Sequence, residues 1–206
     1  MSFYHDVEKN PVPELLLPPS LKLLVAGLCR GGTNFVHQFF KETGQAAYHE
    51  SVFATTGPRQ DMPRWTGNSK PVIEVSGISA PYAYAVAARD IPVIHLLRDP
   101  CACINSNLNY FPKVGEEGWE KMADIYLRWH ELIARSSVAV VRLEHFFDDI
   151  LPVLRLLHLS IDEPTIRGAF TRARHVGRST PGNLVTWDML PHDLKTFAKG
   201  YGYGPR

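Results

Sequence analysis

The sequence is short of cysteine, shows no excess of either charge, and contains no long apolar run. Its three cysteines among 206 residues are too few, and odd in number, for a disulfide framework. Cys101 and Cys103 stand one residue apart, a poor spacing for a bridge or a zinc site. A reducing, cytoplasmic setting is therefore expected. Lys and Arg total 22 against 21 Asp and Glu, a formal net charge of +1, which speaks against a broadly basic nucleic-acid binder. Apolar stretches fall well short of the roughly 20 residues needed to span a membrane. The first residues carry His5, Asp6, Glu8 and Lys9 ahead of Leu15–Leu17, so no secretory leader is expected. The nine histidines show no zinc-type spacing, and no metal is expected. There is no internal repeat and no low-complexity segment.

What is present is ordinary globular composition, 45% apolar and 21% charged. The length suits one domain over 1–206. Prolines 11, 13, 18 and 19 make 1–19 an extended lead-in. Leu21–Ala26 is a compact apolar run, as a buried parallel strand requires. Thr33–Glu42 follows as a helix, with Phe35, Val36, Phe39 and Phe40 on one face and Gly44 at its end. Residues 51–70 form a long polar loop around Trp65. Further strands are expected at Pro71–Val75, Ile91–Leu97 and Val138–Leu143. Further helices are expected at Tyr82–Arg89, from Pro100 to about Asn109, and at Glu120–Arg135, Phe146–Leu157 and Glu163–Thr171. The tail from His175 is irregular, with a short helix after Pro191. Strands alternating with helices predict an α/β chain: three layers, α/β/α, around a mostly parallel sheet. Ligands of such sheets sit at the C-terminal ends of the strands.

Gly27-Leu28-Cys29-Arg30-Gly31-Gly32-Thr33-Asn34 joins the first strand to the first helix. A strand turning tightly into a helix aims several backbone N–H groups at one point, and the helix dipole adds partial positive charge. Glycine allows positive φ and close approach of an anion. The spacing nearly matches G-x4-G-K-[ST], but Thr33 stands where the phosphate-reaching Lys is required. Simple ATPase chemistry is therefore disfavoured, and by itself the loop is also compatible with a bare tight turn. A phosphatase role for Cys29 fails because Phe35 occupies the position of the required Arg. Arg98-Asp99-Pro100 leaves the second strong strand, and Ser106 lies two turns along the next helix. A strand-end Arg and a helix hydroxyl can hold a second phosphate. Alone, the same residues also fit a surface pair and a solvent-facing Ser.

Taken together, the two stretches resemble the sulfotransferase family, which uses 3′-phosphoadenosine-5′-phosphosulfate. The family loop G-x-x-[RK]-[ST]-G-T-T is matched at Gly27, Arg30, Gly32 and Thr33. Gly31 and Asn34 replace a hydroxyl residue and a Thr. The family's apolar strand, Arg-[Asp/Asn]-Pro and spaced Ser are matched at Arg98, Asp99, Pro100 and Ser106. Val140–Phe146 resembles a further family strand and its Glu, and Gly177, Arg178 and Trp187 faintly echo a C-terminal segment. The likeness spans about residues 21–190.

The resemblance implies a P-loop NTPase-like fold and transfer of a sulfuryl group to a hydroxyl or amine. The acceptor would be a small molecule or a glycan, and the product 3′,5′-adenosine bisphosphate. It implies that Cys29, Arg30, Gly31, Gly32, Thr33 and Asn34 hold the phosphosulfate, and that Arg98 and Ser106 hold the 3′-phosphate. In the family the base is often a Glu or His at the end of a strand that follows the loop helix. Glu74 in Lys70–Ser76 fits that place, with Arg30 assisting because Val75 replaces a companion Lys; a pair with Lys70 is the simpler role for Glu74. His49 and Glu50 are rival bases. Arg172, Arg174, His175 and Arg178 form a basic cluster, either a solvated face or a cover over the phosphates. A P-loop small-molecule kinase and a non-catalytic protein of the same fold remain as alternatives.

Overall fold

Seven strands carry the chain's β structure among the residues described. They are β1 (Leu21–Ala26), β2 (Ala46–His49), β3 (Phe53–Ala54), β4 (Gly57–Pro58), β5 (Val72–Ser76), β6 (Val93–Leu97) and β7 (Ala139–Arg142). Seven α-helices accompany them: α1 (Thr33–Glu42), α2 (Ala83–Ala87), α3 (Pro100–Tyr110), α4 (Trp119–Ala134), α5 (Phe146–Leu156), α6 (Glu163–Ala173) and α7 (His192–Gly200). These come from a computed structural model that describes residues 17, 19–50, 53–54, 57–58, 72–111, 118–173 and 185–205.

Five strands form one parallel sheet in the order β2-β5-β1-β6-β7. Side chains of a strand alternate between faces, and the core divides accordingly. Leu24, Ala26, Val72, Val93 and Leu97 face one layer, with α4 and its Met122, Tyr126, Trp129 and Ile133. Leu23, Val25, Ile73, Val75, Ile94, Leu96 and Val141 face the other. There α1 supplies Val36, Phe39 and Phe40, α5 supplies Phe146, Ile150 and Val153, and α6 supplies Ile166 and Ala169. Helices on both faces explain why β1 and β6 read as unbroken apolar runs. The result is the expected three-layer α/β fold.

The chain leaves β1 towards β2 on one side and later crosses to β6 on the other. That reversal opens a crevice at the C-terminal ends of β5, β1 and β6. α1 and α3 begin at this crevice. Pro100 sits at the first helical position of α3, and the Asp99 carboxylate accepts the Ala102 N–H at 2.8 Å.

Several expectations fall partly on residues outside those described. Of the lead-in, only residues 17 and 19 are described. Of the loop 51–70, only β3 and β4 are, as an antiparallel pair. Trp65, Lys70, Arg174, His175, Gly177 and Arg178 lie outside the described residues.

Candidate functional site

The turn after β1 is built around backbone that ordinary side chains avoid. Gly27 N–H donates to the Ser76 carbonyl at 3.0 Å, and Gly31 N–H closes the turn onto the Leu28 carbonyl at 2.8 Å. Gly32, which caps α1, has φ 98°, and a Cβ there would lie 2.6 Å from a Leu143 methyl. Only glycine meets both conditions. Arg30 has φ 63°, left-handed backbone that L-residues rarely adopt. Its Nε donates to Ser106 Oγ at 3.2 Å, and its guanidinium lies 4.3 Å from the centre of the Tyr110 ring. Arg98 donates to the Arg30 carbonyl at 2.7 Å. The two stretches that the sequence offers as candidate anion sites are thus neighbours in space.

They open onto a cleft of about 790 Å³. Cys29, Arg30, Gly32, Thr33, Asn34, Arg98 and His49 line it, with Glu50 and Glu144. Phe35, Phe170, Tyr110, Phe111 and Leu143 complete its walls. The volume is that of a small-molecule site. Ser106 is only 1% exposed and meets the cleft through Arg30.

The candidate bases separate. Glu74 is the middle residue of β5, fully buried, paired in register with Leu24 and Tyr48, and is not among the residues lining the cleft. The strand that directly follows α1 is β2, and its end carries His49 and Glu50. His49 Nε2 and Thr33 Oγ1 share a hydrogen bond of 3.0 Å, and Glu50 Oε1 lies 3.9 Å from the same nitrogen. Burial lowers the His49 pKa below its ordinary value, with Glu50 opposing. A neutral imidazole in the cleft can accept a proton. The His37 ring lies 5.7 Å away; its pKa is lowered by burial first and then by His49, and it bonds the Ala47 carbonyl at 3.2 Å.

Arg172, expected either to be solvated or to cover the phosphates, is exposed and bonds Glu42 at 2.6 Å. Among the described residues, no group of three or more His, Cys, Asp or Glu is placed to hold a metal ion, and no helix is long and apolar enough to cross a membrane. Phe35, Tyr110, Phe111, Leu143, Glu144 and Phe170 join the cleft without a motif in the sequence that marks them for it. Phe35 belonged to an apolar helical face, but it is half-buried while Val36, Phe39 and Phe40 are buried. The only signal for Glu144 was its place in Val140–Phe146.

No family model and no curated protein sequence matches this chain. A structural match is the crystal structure of mouse sulfotransferase SULT7A1 complexed with PAP. The TM-score is 0.56 at 9% identity, over 88% of this chain and 72% of that one. With a five-stranded parallel sheet, and a glycine-rich turn leading from its central strand into a helix, this chain has the fold of a sulfotransferase.

Proposed function

We propose that the protein transfers a sulfuryl group from 3′-phosphoadenosine-5′-phosphosulfate to an acceptor hydroxyl or amine. The observation that carries this reading is the convergence of Arg30 and Arg98 on one cleft with His49 and Glu50. The turn Gly27–Asn34 supports a phosphosulfate site because it brings the start of α1 and one full charge from Arg30 to the cleft. Arg98 is assigned to the 3′-phosphate, and Ser106, which accepts from Arg30 Nε, backs the neighbouring Arg30 side chain. Phe35 and Phe170, whose rings meet edge to face at 5.9 Å, offer an apolar edge to the adenine.

In the reaction, the acceptor oxygen or nitrogen bonds to sulfur as the bond from sulfur to the 5′-phosphate oxygen breaks. His49 takes the acceptor proton, and Glu50 beside it favours the resulting imidazolium. Arg30 balances charge on the departing bisphosphate. Arg30 therefore serves catalysis as well as binding, and His49 replaces Glu74 as the assigned base.

Isothermal titration with 3′,5′-adenosine bisphosphate tests the donor site. Binding is expected, and its absence in the wild type sinks the reading. Mg²⁺-dependent ATP binding without preference for a 3′-phosphate would favour a kinase instead. His49→Ala should retain bisphosphate binding and lose turnover by about 10²-fold or more. Unchanged turnover removes His49 from the mechanism.

A further inference from the structure

Glu144 is an acidic residue that lines the cleft which also presents Arg30 and Arg98. Left to itself, such a group would repel a phosphate. Its surroundings explain why it is tolerated. β6 and β7 run parallel with Leu97 opposite Arg142. The residues that follow each strand, Arg98–Asp99 and Leu143–Glu144, therefore emerge side by side. Glu144 Oε1 accepts the Asp99 N–H at 3.1 Å, and Oε2 accepts the Tyr203 O–H at 2.8 Å. Both oxygens are thus turned towards the protein.

The Asp99 N–H and the Arg98 carbonyl belong to one peptide unit. That carbonyl accepts the Tyr126 hydroxyl. The peptide plane is therefore held at both ends, by Glu144 and by Tyr126, and Arg98 projects from it into the cleft. Tyr203 comes from the segment after α7 and is buried. Burial, and then the Glu144 carboxylate, hold its phenol far above the ordinary range, so it stays a proton donor.

We infer that Tyr203 and Glu144 are positioning residues, through which the segment after α7 sets the aim of Arg98 at the donor's 3′-phosphate. This rests on the donor reading above. The hydroxyl of Tyr203 keeps the Glu144 carboxylate on the Asp99 N–H and turned away from the bound anion. Without it, the carboxylate swings towards the phosphate and the Arg98 peptide loses one of its two anchors.

The test uses Tyr203→Phe, which removes one oxygen and little volume. Affinities for 3′,5′-adenosine bisphosphate and for 5′-AMP are measured by titration on the full chain. The bisphosphate is expected to weaken roughly tenfold, the scale of one lost bond to a charged group. 5′-AMP, which has no 3′-phosphate, should be unchanged. Glu144→Ala, which removes both contacts but also the repelling charge, is the second variant and should show a smaller loss, again confined to the bisphosphate. Equal losses for both nucleotides would reveal a merely structural role and overturn the inference, as would undiminished bisphosphate affinity in both variants. A wild type that binds neither nucleotide defeats the donor reading first, and the inference with it. A wild type that binds both and variants that do not discriminate defeat the inference alone.

Discussion

Arg30 is a long cation in a backbone conformation that glycine fills more easily. Left-handed φ costs an ordinary residue about 1–2 kcal/mol, and Arg30 is flanked by Gly31 in a turn already rich in glycine. Strain retained at such a position points to function. Arg30→Gly should relieve it, offset in part by about 0.5–1 kcal/mol of added chain entropy. The thermal midpoint is expected to hold or rise slightly while affinity for 3′,5′-adenosine bisphosphate falls at least about tenfold. A lower midpoint with affinity retained would contradict this. At the residue scale the loop was legible because its chemistry is local: three glycines, one Arg and a Thr fall within eight successive positions. Which candidate base reaches the cleft was not legible. Glu74 and His49 both follow α1 and both sit in or at the end of a short strand, and nothing local distinguishes them. Only burial separates Glu74, at 0% exposed, from His49 in the cleft.

The elements meet at their ends, so their caps matter more than their middles. α3 starts with Asp99 and Pro100, and the Asp99 carboxylate satisfies the Ala102 N–H. Asp99→Ala should cost about 1 kcal/mol and lower the thermal midpoint by about 2–4 °C in a chain of this size. Asp99→Asn should restore most of the loss, because Asn also caps well. Thermal unfolding followed by circular dichroism reads both variants. Helix bounds were largely legible from periodicity and caps. Thr33–Glu42 was expected and is observed, and Pro100 does open α3. Strand adjacency was not legible. β2 precedes β5 in sequence yet lies outside it in the sheet, two places from β1. Parallel pairing joins segments far apart in the chain, so no local pattern encodes it.

Across the whole molecule, one buried pair bears on pH. His95 on β6 and His130 on α4 share a hydrogen bond of 2.8 Å and are nearly unexposed. Tyr126 and Phe197 pack beside the His130 ring, and Tyr201 beside that of His95. Burial lowers the His95 pKa to about 3 and takes His130 well below its ordinary value. The unfolded chain binds these protons near pH 6.5, and the folded chain refuses them until far lower. The contribution of this pair to stability is therefore fully present above about pH 6.5 and lost as pH falls towards 3. The urea midpoint should be lower at pH 5 than at pH 7.5, with a smaller difference in a His95→Leu/His130→Leu double variant. Equal differences in wild type and variant would remove the pair from the account. The sequence by itself determined the α/β class, the glycine-rich turn and the Arg98–Ser106 spacing, because each is written in short-range pattern: apolar runs, glycine positions and helical periods. The tertiary structure alone decided which strand end faces the cleft, that Arg30 and Ser106 touch, and that Glu144 is held between Asp99 and Tyr203. Those outcomes depend on parallel pairing and burial across many tens of residues, which composition and periodicity do not record.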